Sequence, residues 1–183
     1  PAGDWQIANC DVCQGDSMVI NLHHGQAIVI DVGPDPVAED KCLRALGVHQ
    51  VPLLILSHFH ADHVGGLSGL VKSRDVQHTW ISNNLEPVME STHSLQLLQN
   101  SQITTVQKGM TASIAGITFE VLWPDVSIHN FESMPGEGSV INNSSIAMIV
   151  STTDWSIFTA GDLEPPAQHE ILGNVRAVDI YKV

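Results

Sequence analysis

Positive charge is scarce in this sequence. Only 7 of its 183 residues are Lys or Arg, against 20 Asp or Glu, and the formal net charge is −13. Surfaces that bind nucleic acid usually carry a basic stripe, so this balance argues against an extended one. Divalent cations bound at a site would reverse the field locally, but not over a whole face. The charge is therefore an objection to any nuclease function.

Long apolar runs and a secretory leader are also missing. No apolar stretch approaches the roughly 20 residues of a membrane-spanning helix, and the start lacks the pattern of a signal peptide. Apolar residues make up 43% and charged residues 15%, which is typical of a packed globular domain. The length predicts a single domain over residues 1–183. Because Pro1 is not a natural start, we expect an excised piece or a processed product.

Cysteines are few and odd in number: Cys10, Cys13 and Cys42. Cys10 and Cys13 have the spacing of a redox or zinc pair, but no second pair completes a structural zinc site. No helix start of the thioredoxin type follows them. We therefore expect buried, inert thiols beside a strand.

What the sequence does contain is a dense set of metal ligands, in the run His58-Phe59-His60-Ala61-Asp62-His63. It follows an apolar strand, in which residues two apart face the same side, so His58 and His60 can present their rings to one ion. Asp62 and His63 need a turn of chain and point to a second position nearby. Imidazoles with a carboxylate suit zinc, iron or manganese. The glycines that follow predict close backbone packing.

Two acidic residues end apolar strands elsewhere in the chain. Asp31 precedes Gly33-Pro34, where it either forms a turn or is held by buried hydrogen bonds. Asp162 follows Gly161 at the end of another strand, a position from which a carboxylate can reach a cation.

The remaining chain alternates strands and helices. Asp35-Pro36 begins a helix that Gly47 ends, and a hairpin turns at Ala115-Gly116. The predicted strands are 5–12, 17–22, 27–31, 53–56, 76–82, 103–106, 146–150, 155–159 and 177–183, and the other predicted helices are 67–71, 91–98 and 163–172. The segment 124–140 is a long loop.

The spacing His-x-His-x-Asp-His resembles that of the metallo-β-lactamase superfamily. The resemblance implies an α/β chain with a four-layer αββα fold and a dinuclear hydrolase site. His58 and His60 would bind the first metal, Asp62 and His63 the second, and Asp162 would bridge both. Asp31 would steady the loop that carries His58 to His63, called the metal loop below, without binding a metal itself. His60 and Asp62 would be the catalytic residues. The superfamily hydrolyses lactams, thioesters, lactones and phosphodiesters alike.

Three further stretches narrow the resemblance: 11–16, Asn142-Asn143-Ser144-Ser145, and 159–165. With the histidine motif, they are similar to the hydrolase domain of ComEC-type DNA-uptake channel proteins over nearly the whole chain. That family implies single-stranded DNA as substrate and a membrane channel domain of the same protein as partner. It also implies that the domain lies on the outer face of the cell membrane. It also implies two divalent ions, zinc or manganese.

The sequence departs from that family in three places. Cys13 stands where the family has glycine. The superfamily's third-motif histidine is not visible; Asn142, Asn143 and Ser145 occupy that region as possible substrate or metal contacts. A Pro-His-His-Gly-Ser segment, whose histidine binds the second metal in the family, would follow Val183. We therefore expect a fold truncated at this side, with weak metal retention and weak or absent activity in the 183-residue chain.

Two other functions remain open from the sequence. A small-molecule hydrolase of the lactamase or thioesterase type suits the acidic surface. A catalytically inactive docking domain of a membrane channel would keep the motif without using it.

Overall fold

The computed structural model describes residues 4–125 and 140–182. Their contacts group into two compact units: residues 4–81 with 85–104, and residues 82–84 with 105–125 and 140–182. Most of the predicted long loop lies outside the described residues, and the single-domain organisation stays a prediction.

Both units mix strands and helices, and the elements follow the predicted order. The strands are β1 Ile7–Asn9, β2 Met18–His23, β3 Gln26–Ile30, β4 Gln50–Leu56, β5 Asp75–Ile81, β6 Gln102–Thr105, β7 Thr111–Ile114, β8 Ile117–Trp123, β9 Ala147–Ser151, β10 Ser156–Thr159 and β11 Ile180–Lys182. The helices are α1 Pro36–Ala45, α2 Ala61–Val64, α3 Leu67–Val71, α4 Val88–Leu97 and α5 Pro165–Ile171, with a 3-10 turn at Asn142–Ser144. None of the helices in these two described ranges is long and apolar enough to cross a membrane.

The first unit is built on a six-stranded sheet in the order β1 to β6. Strands β3 and β4 are parallel, with Ile30 opposite Ile55. Strands β4 and β5 are also parallel, with Leu56 opposite Ile81. The carboxyl ends of parallel strands meet at one edge, so the residues after β3 and β4 lie side by side.

Helix α1 begins and ends where the sequence predicts. The Asp35 carboxylate accepts a hydrogen bond from the Val37 backbone N–H at 2.7 Å, and Pro36 occupies the first turn. Gly47 adopts a left-handed φ of 74° after the helix. A side-chain cap and a left-handed glycine satisfy backbone groups that a helix leaves unpaired at its ends.

Helix α1 also carries two acidic side chains into the unit. Asp40 accepts from the buried Arg74 guanidinium at 2.9 Å, and this hydrogen bond holds the pKa of Asp40 below its usual value. Glu39 is fully buried, and neither of its carboxylate oxygens has a hydrogen-bond partner within the described residues. Burial raises the pKa of Glu39 to about 7, which the nearby Ser17 hydroxyl and Arg74 offset only in part.

The second unit is built on a five-stranded sheet in the order β11-β10-β9-β8-β7. Strands β7 and β8 form the predicted hairpin, and Ala115 and Gly116 both have positive φ, 51° and 82°. Two consecutive left-handed residues match the twist of the flanking strands. Apolar side chains of β8, β9 and β10 pack against α5 to form the core of this unit.

The prediction of buried, inert thiols is wrong. Cys10 and Cys42 form a disulfide that joins the segment after β1 to α1, with their Cα atoms 5.8 Å apart. Cys13 is a free, exposed thiol. The two paired residues are 32 positions apart in the sequence, and only the folded chain brings their side chains within bonding distance.

The predicted start of α4 is also wrong. The helix begins at Val88, after Pro87, and Ser91 lies inside it. The Ser91 hydroxyl donates to the carbonyl oxygens of Leu85 and Val88 at 2.6 and 3.2 Å. A serine within a helix often donates back to the preceding turn in this way, which makes it a poor marker of the helix start.

Candidate metal centre

Three imidazole rings gather directly after β4 in the first unit. The ring centroids of His58 and His60 are 4.8 Å apart, and those of His58 and His63 are 4.2 Å apart. His58 and His63 are almost completely buried. The short helix α2 supplies the turn that brings His63 back towards His58, and Asp62 lies on it with a carboxylate oxygen 4.0 Å from His63 Nε2.

A buried carboxylate, Asp31, sets the orientation of two of these rings. Its Oδ2 accepts from His63 Nδ1 at 3.0 Å and from the Ser57 hydroxyl at 2.7 Å. Because the Ser57 proton points to Asp31, the Ser57 oxygen accepts from His58 Nδ1, 3.1 Å away. Both histidines then carry their proton on Nδ1 and present the Nε2 lone pair. That tautomer is the one in which Nε2 can bind a metal ion.

The sheet places Asp31 for this role. Its backbone N–H donates to the Ile55 carbonyl oxygen at 2.8 Å across the parallel pair β3–β4, and its Oδ1 accepts from the Ser57 N–H at 2.7 Å. Asp31 has a left-handed φ of 57°, which is uncommon for residues other than glycine, though aspartate tolerates it better than most. Sequence reasoning missed Ser57; its position directly before His58 was the available signal.

The metal loop also packs closely against the loop that follows Asp31, as the glycines predicted. The His63 carbonyl oxygen accepts from the Val32 N–H at 2.9 Å, and the Gly66 N–H donates to the Gly33 carbonyl oxygen at 2.7 Å. A Cβ atom on Gly66 would lie 1.9 Å from the Val32 carbonyl oxygen. Only glycine permits this approach of two backbones.

In the second unit, Asp162 follows β10 directly after Gly161, which has a positive φ of 52°. The Leu163 N–H donates to the Ala160 carbonyl oxygen at 3.1 Å, which closes a tight turn around Asp162. Asp162 therefore lies just after the end of a strand, as the sequence predicts. Its role towards a metal stays a prediction.

The asparagine segment is held beside the same turn. Asn142 and Asn143 donate from their Nδ2 atoms to the two carboxylate oxygens of Glu164, at 2.9 and 3.1 Å. The Asn143 carbonyl oxygen accepts from the buried Trp123 indole at 2.6 Å. The side-chain oxygen Oδ1 of Asn143 is buried and makes no hydrogen bond within the described residues. Ser145, fully buried, ends the 3-10 turn.

A family model identifies the class of this chain. The model of the metallo-beta-lactamase superfamily matches residues 10–170, and the chain belongs to that superfamily.

Two curated relatives are similar over most or all of the chain. ComE operon protein 3 of Bacillus subtilis is 27% identical over 206 residues, which cover 100% of this chain and 25% of the relative. Uncharacterized protein YcaI of Escherichia coli is 27% identical over 175 residues, which cover 92% of this chain and 20% of the relative. The chain thus spans about a quarter or less of the length of these relatives.

Solved structures with low sequence identity share the fold. A metallo-beta-lactamase from Cronobacter sakazakii aligns with a TM-score of 0.57 at 15% identity, covering 97% of this chain and 79% of that one. The Zn²⁺-bound PqqB from Methylobacterium extorquens aligns with a TM-score of 0.54 at 13% identity, covering 86% of this chain and 60% of that one. The predicted fold class, an α/β chain of the metallo-β-lactamase type, is confirmed.

The donor set of the first unit fits a divalent metal ion. Neighbouring imidazoles that present a nitrogen lone pair can bind one cation together, and nitrogen donors with a carboxylate suit zinc-like metals. His58, His60, His63 and Asp62 supply such donors from one stretch of chain. The predicted ligands of this stretch are therefore brought together.

We expect Asp31→Asn to weaken metal binding about 10- to 100-fold. An amide NH₂ in place of Oδ2 would donate to His63 Nδ1, which moves the ring proton to Nε2 and blocks the ligand atom. A competition titration with Zn²⁺ measures the loss. Asp75→Asn, which removes the same charge from an exposed position on β5, is the control. Equal affinity in Asp31→Asn and wild type would contradict this role.

Proposed function

We propose that this chain is the metal-dependent nuclease domain of a DNA-uptake protein and degrades one strand of incoming DNA. The observation that carries the proposal is the convergence of three histidine rings in the first unit, two of which, His58 and His63, are oriented by a buried Asp31–Ser57 network. Similarity to ComE operon protein 3 over the full chain supports the uptake context. Superfamily membership supports hydrolysis.

Within this proposal, His58 and His60 hold one ion, Asp62 and His63 hold a second, and Asp162 bridges the two. When bound, zinc or manganese ions supply an activated water and polarise the phosphodiester. His60 and Asp62 are the partly exposed members of the motif, so they are the ones that substrate can contact.

The third-motif region has a proposed role as well. Within this proposal, Asn143 supplies the substrate or metal contact of this region through its buried Oδ1, because its Nδ2 donates to Glu164. Asn142 and Ser145 then position this segment. An amide oxygen is a weaker ligand than an imidazole.

The proposed partners are single-stranded DNA as substrate and a membrane channel domain of the same protein, on the outer face of the cell membrane. The Cys10–Cys42 disulfide supports that location, because disulfides persist mainly in oxidising compartments. Bound cations would locally counter the net charge of −13 that opposes DNA binding.

A second candidate, a small-molecule hydrolase of the lactamase or thioesterase type, is favoured by that same charge of −13. Such substrates need no basic groove.

One assay separates the two candidates. The purified chain, supplied with excess Mn²⁺ or Zn²⁺ to fill weak sites, is incubated with end-labelled single-stranded DNA, a chromogenic β-lactam and an acyl thioester. We expect cleavage of DNA that a chelator abolishes. Turnover of the lactam or thioester with intact DNA would establish the second candidate and contradict the first.

A further inference from the structure

Glu164 follows Asp162 by two residues and joins that turn to the asparagine segment of the second unit. One of its carboxylate oxygens accepts from Asn142 Nδ2 at 2.9 Å, and the other accepts from Asn143 Nδ2 at 3.1 Å. An ionised carboxylate only accepts hydrogen bonds, so both amides turn their NH₂ groups towards it. Hydrogen bonds to a charged acceptor are stronger than those between neutral groups. Glu164 is therefore a firm link between the two segments.

The local sequence leaves the Glu164 carboxylate available for this link. Glu164 is the N-cap residue of α5, where a side chain usually accepts from the second or third residue of the helix. Pro165 and Pro166 occupy the first two helical positions and have no backbone N–H to donate. Within the described residues, the Glu164 side chain makes no capping hydrogen bond. Both of its carboxylate oxygens accept from the asparagines instead.

Each of the two joined segments is also fixed by itself. In the turn that carries Asp162, the Leu163 N–H donates to the Ala160 carbonyl oxygen at 3.1 Å, and the Leu163 carbonyl oxygen accepts from Gln168 Nε2 at 2.6 Å. The Leu163 side chain is buried in the core of the second unit. The asparagine segment is held by the buried Trp123 indole. Because both segments are fixed, the Glu164 hydrogen bonds constrain where the Asp162 turn lies against the asparagines.

We propose that Glu164 is a positioning residue, which holds the turn that carries Asp162 against the asparagine segment and so keeps the Asp162 carboxylate in place for metal binding. This inference rests on the proposed function, in which Asp162 binds the ions. Glu164 acts through Asp162 and needs no contact of its own with metal or substrate. Loss of a residue that supports a metal ligand typically weakens metal binding about 10- to 100-fold.

The test is Mn²⁺ binding by the full chain, measured from the electron paramagnetic resonance signal of free Mn²⁺. Glu164→Gln keeps the side-chain shape but sets an NH₂ group against one of the two asparagine NH₂ groups. Glu170→Gln removes the same charge from an exposed position on α5 and is the control. Asp162→Asn, alone and combined with Glu164→Gln, shows whether Glu164 acts through Asp162. Glu164→Gln combined with Asn142→Asp restores both hydrogen bonds, because the glutamine NH₂ can donate to the introduced carboxylate.

We expect Glu164→Gln to bind Mn²⁺ about tenfold more weakly than wild type, and Glu170→Gln to match wild type. In the Asp162→Asn background, Glu164→Gln should cause little further loss, because the ligand that it positions is already gone. The combination with Asn142→Asp should recover most of the affinity that Glu164→Gln loses.

An equal loss of affinity in the wild-type and Asp162→Asn backgrounds would overturn the proposal, because Glu164 would then act independently of Asp162. So would a lower melting temperature of metal-free Glu164→Gln with unchanged Mn²⁺ affinity, which would make Glu164 a purely structural residue. The expected binding pattern in a wild-type chain that leaves DNA intact would refute the nuclease function and support the positioning role. A wild-type chain that binds no Mn²⁺ would contradict both.

Discussion

His60→Ala is expected to reduce metal-dependent DNA cleavage at least about a thousandfold, because it removes a ligand that holds the activated water in place. His60 is the partly exposed imidazole of the three, and it takes no part in the hydrogen bonds that join His58 and His63 to Asp31. Its loss should therefore spare the fold. We expect Asp162→Ala to have a similar effect on the rate.

The measurement is single-turnover cleavage of labelled single-stranded DNA at saturating Mn²⁺, with the melting temperature of each variant as a check of folding. His93→Ala, at an exposed position on α4, is the matched control and should retain wild-type cleavage. Cleavage by His60→Ala at the wild-type rate would rule out the assignment of this motif as the metal centre.

Glu39→Gln is expected to stabilise the protein at alkaline pH by up to about 3 kcal/mol. The Glu39 side chain is fully buried, and its pKa rises from 4.5 to about 7 in the folded chain. Between these values the folded protein keeps a proton that the unfolded chain has released. The contribution of Glu39 to the free energy of unfolding therefore falls as the pH rises from 4.5 to 7 and is constant above pH 7. Glutamine stays neutral and removes this loss.

Chemical unfolding at pH 5 and pH 8 measures the effect. The variant should exceed wild type by about 3 kcal/mol at pH 8 and by less than about 1 kcal/mol at pH 5. Glu170→Gln, at an exposed position on α5, should leave the pH dependence as it is in wild type. If the stability of Glu39→Gln follows that of wild type in parallel over this range, the buried carboxyl does not titrate as described.

The disulfide and the buried Arg74–Asp40 pair show where local sequence patterns stop being informative. Cys10 and Cys42 are 32 residues apart, and Arg74 and Asp40 are 34 residues apart. A pattern of a few residues carries no information about which distant side chain it will meet. The cysteine prediction was wrong for that reason, and the burial of Glu39 on an otherwise ordinary helix could not be anticipated.

Strand ends show the same limit. The first and last strands were predicted over 5–12 and 177–183, but β1 and β11 each span three residues, Ile7–Asn9 and Ile180–Lys182. Each lies at the edge of its sheet and pairs with one neighbour. An edge strand ends where its single partner stops pairing, which composition does not reveal.

The sequence by itself determined the elements whose causes are local. The cap at Asp35, the turn at Ala115-Gly116 and the ligand run from His58 to His63 depend on contacts within a few residues, so their spacing was enough to predict them. The tertiary structure alone decided how the ligands are oriented. Asp31 meets Ser57, 26 residues away, only because β3 and β4 are parallel neighbours whose carboxyl ends share one edge of the sheet.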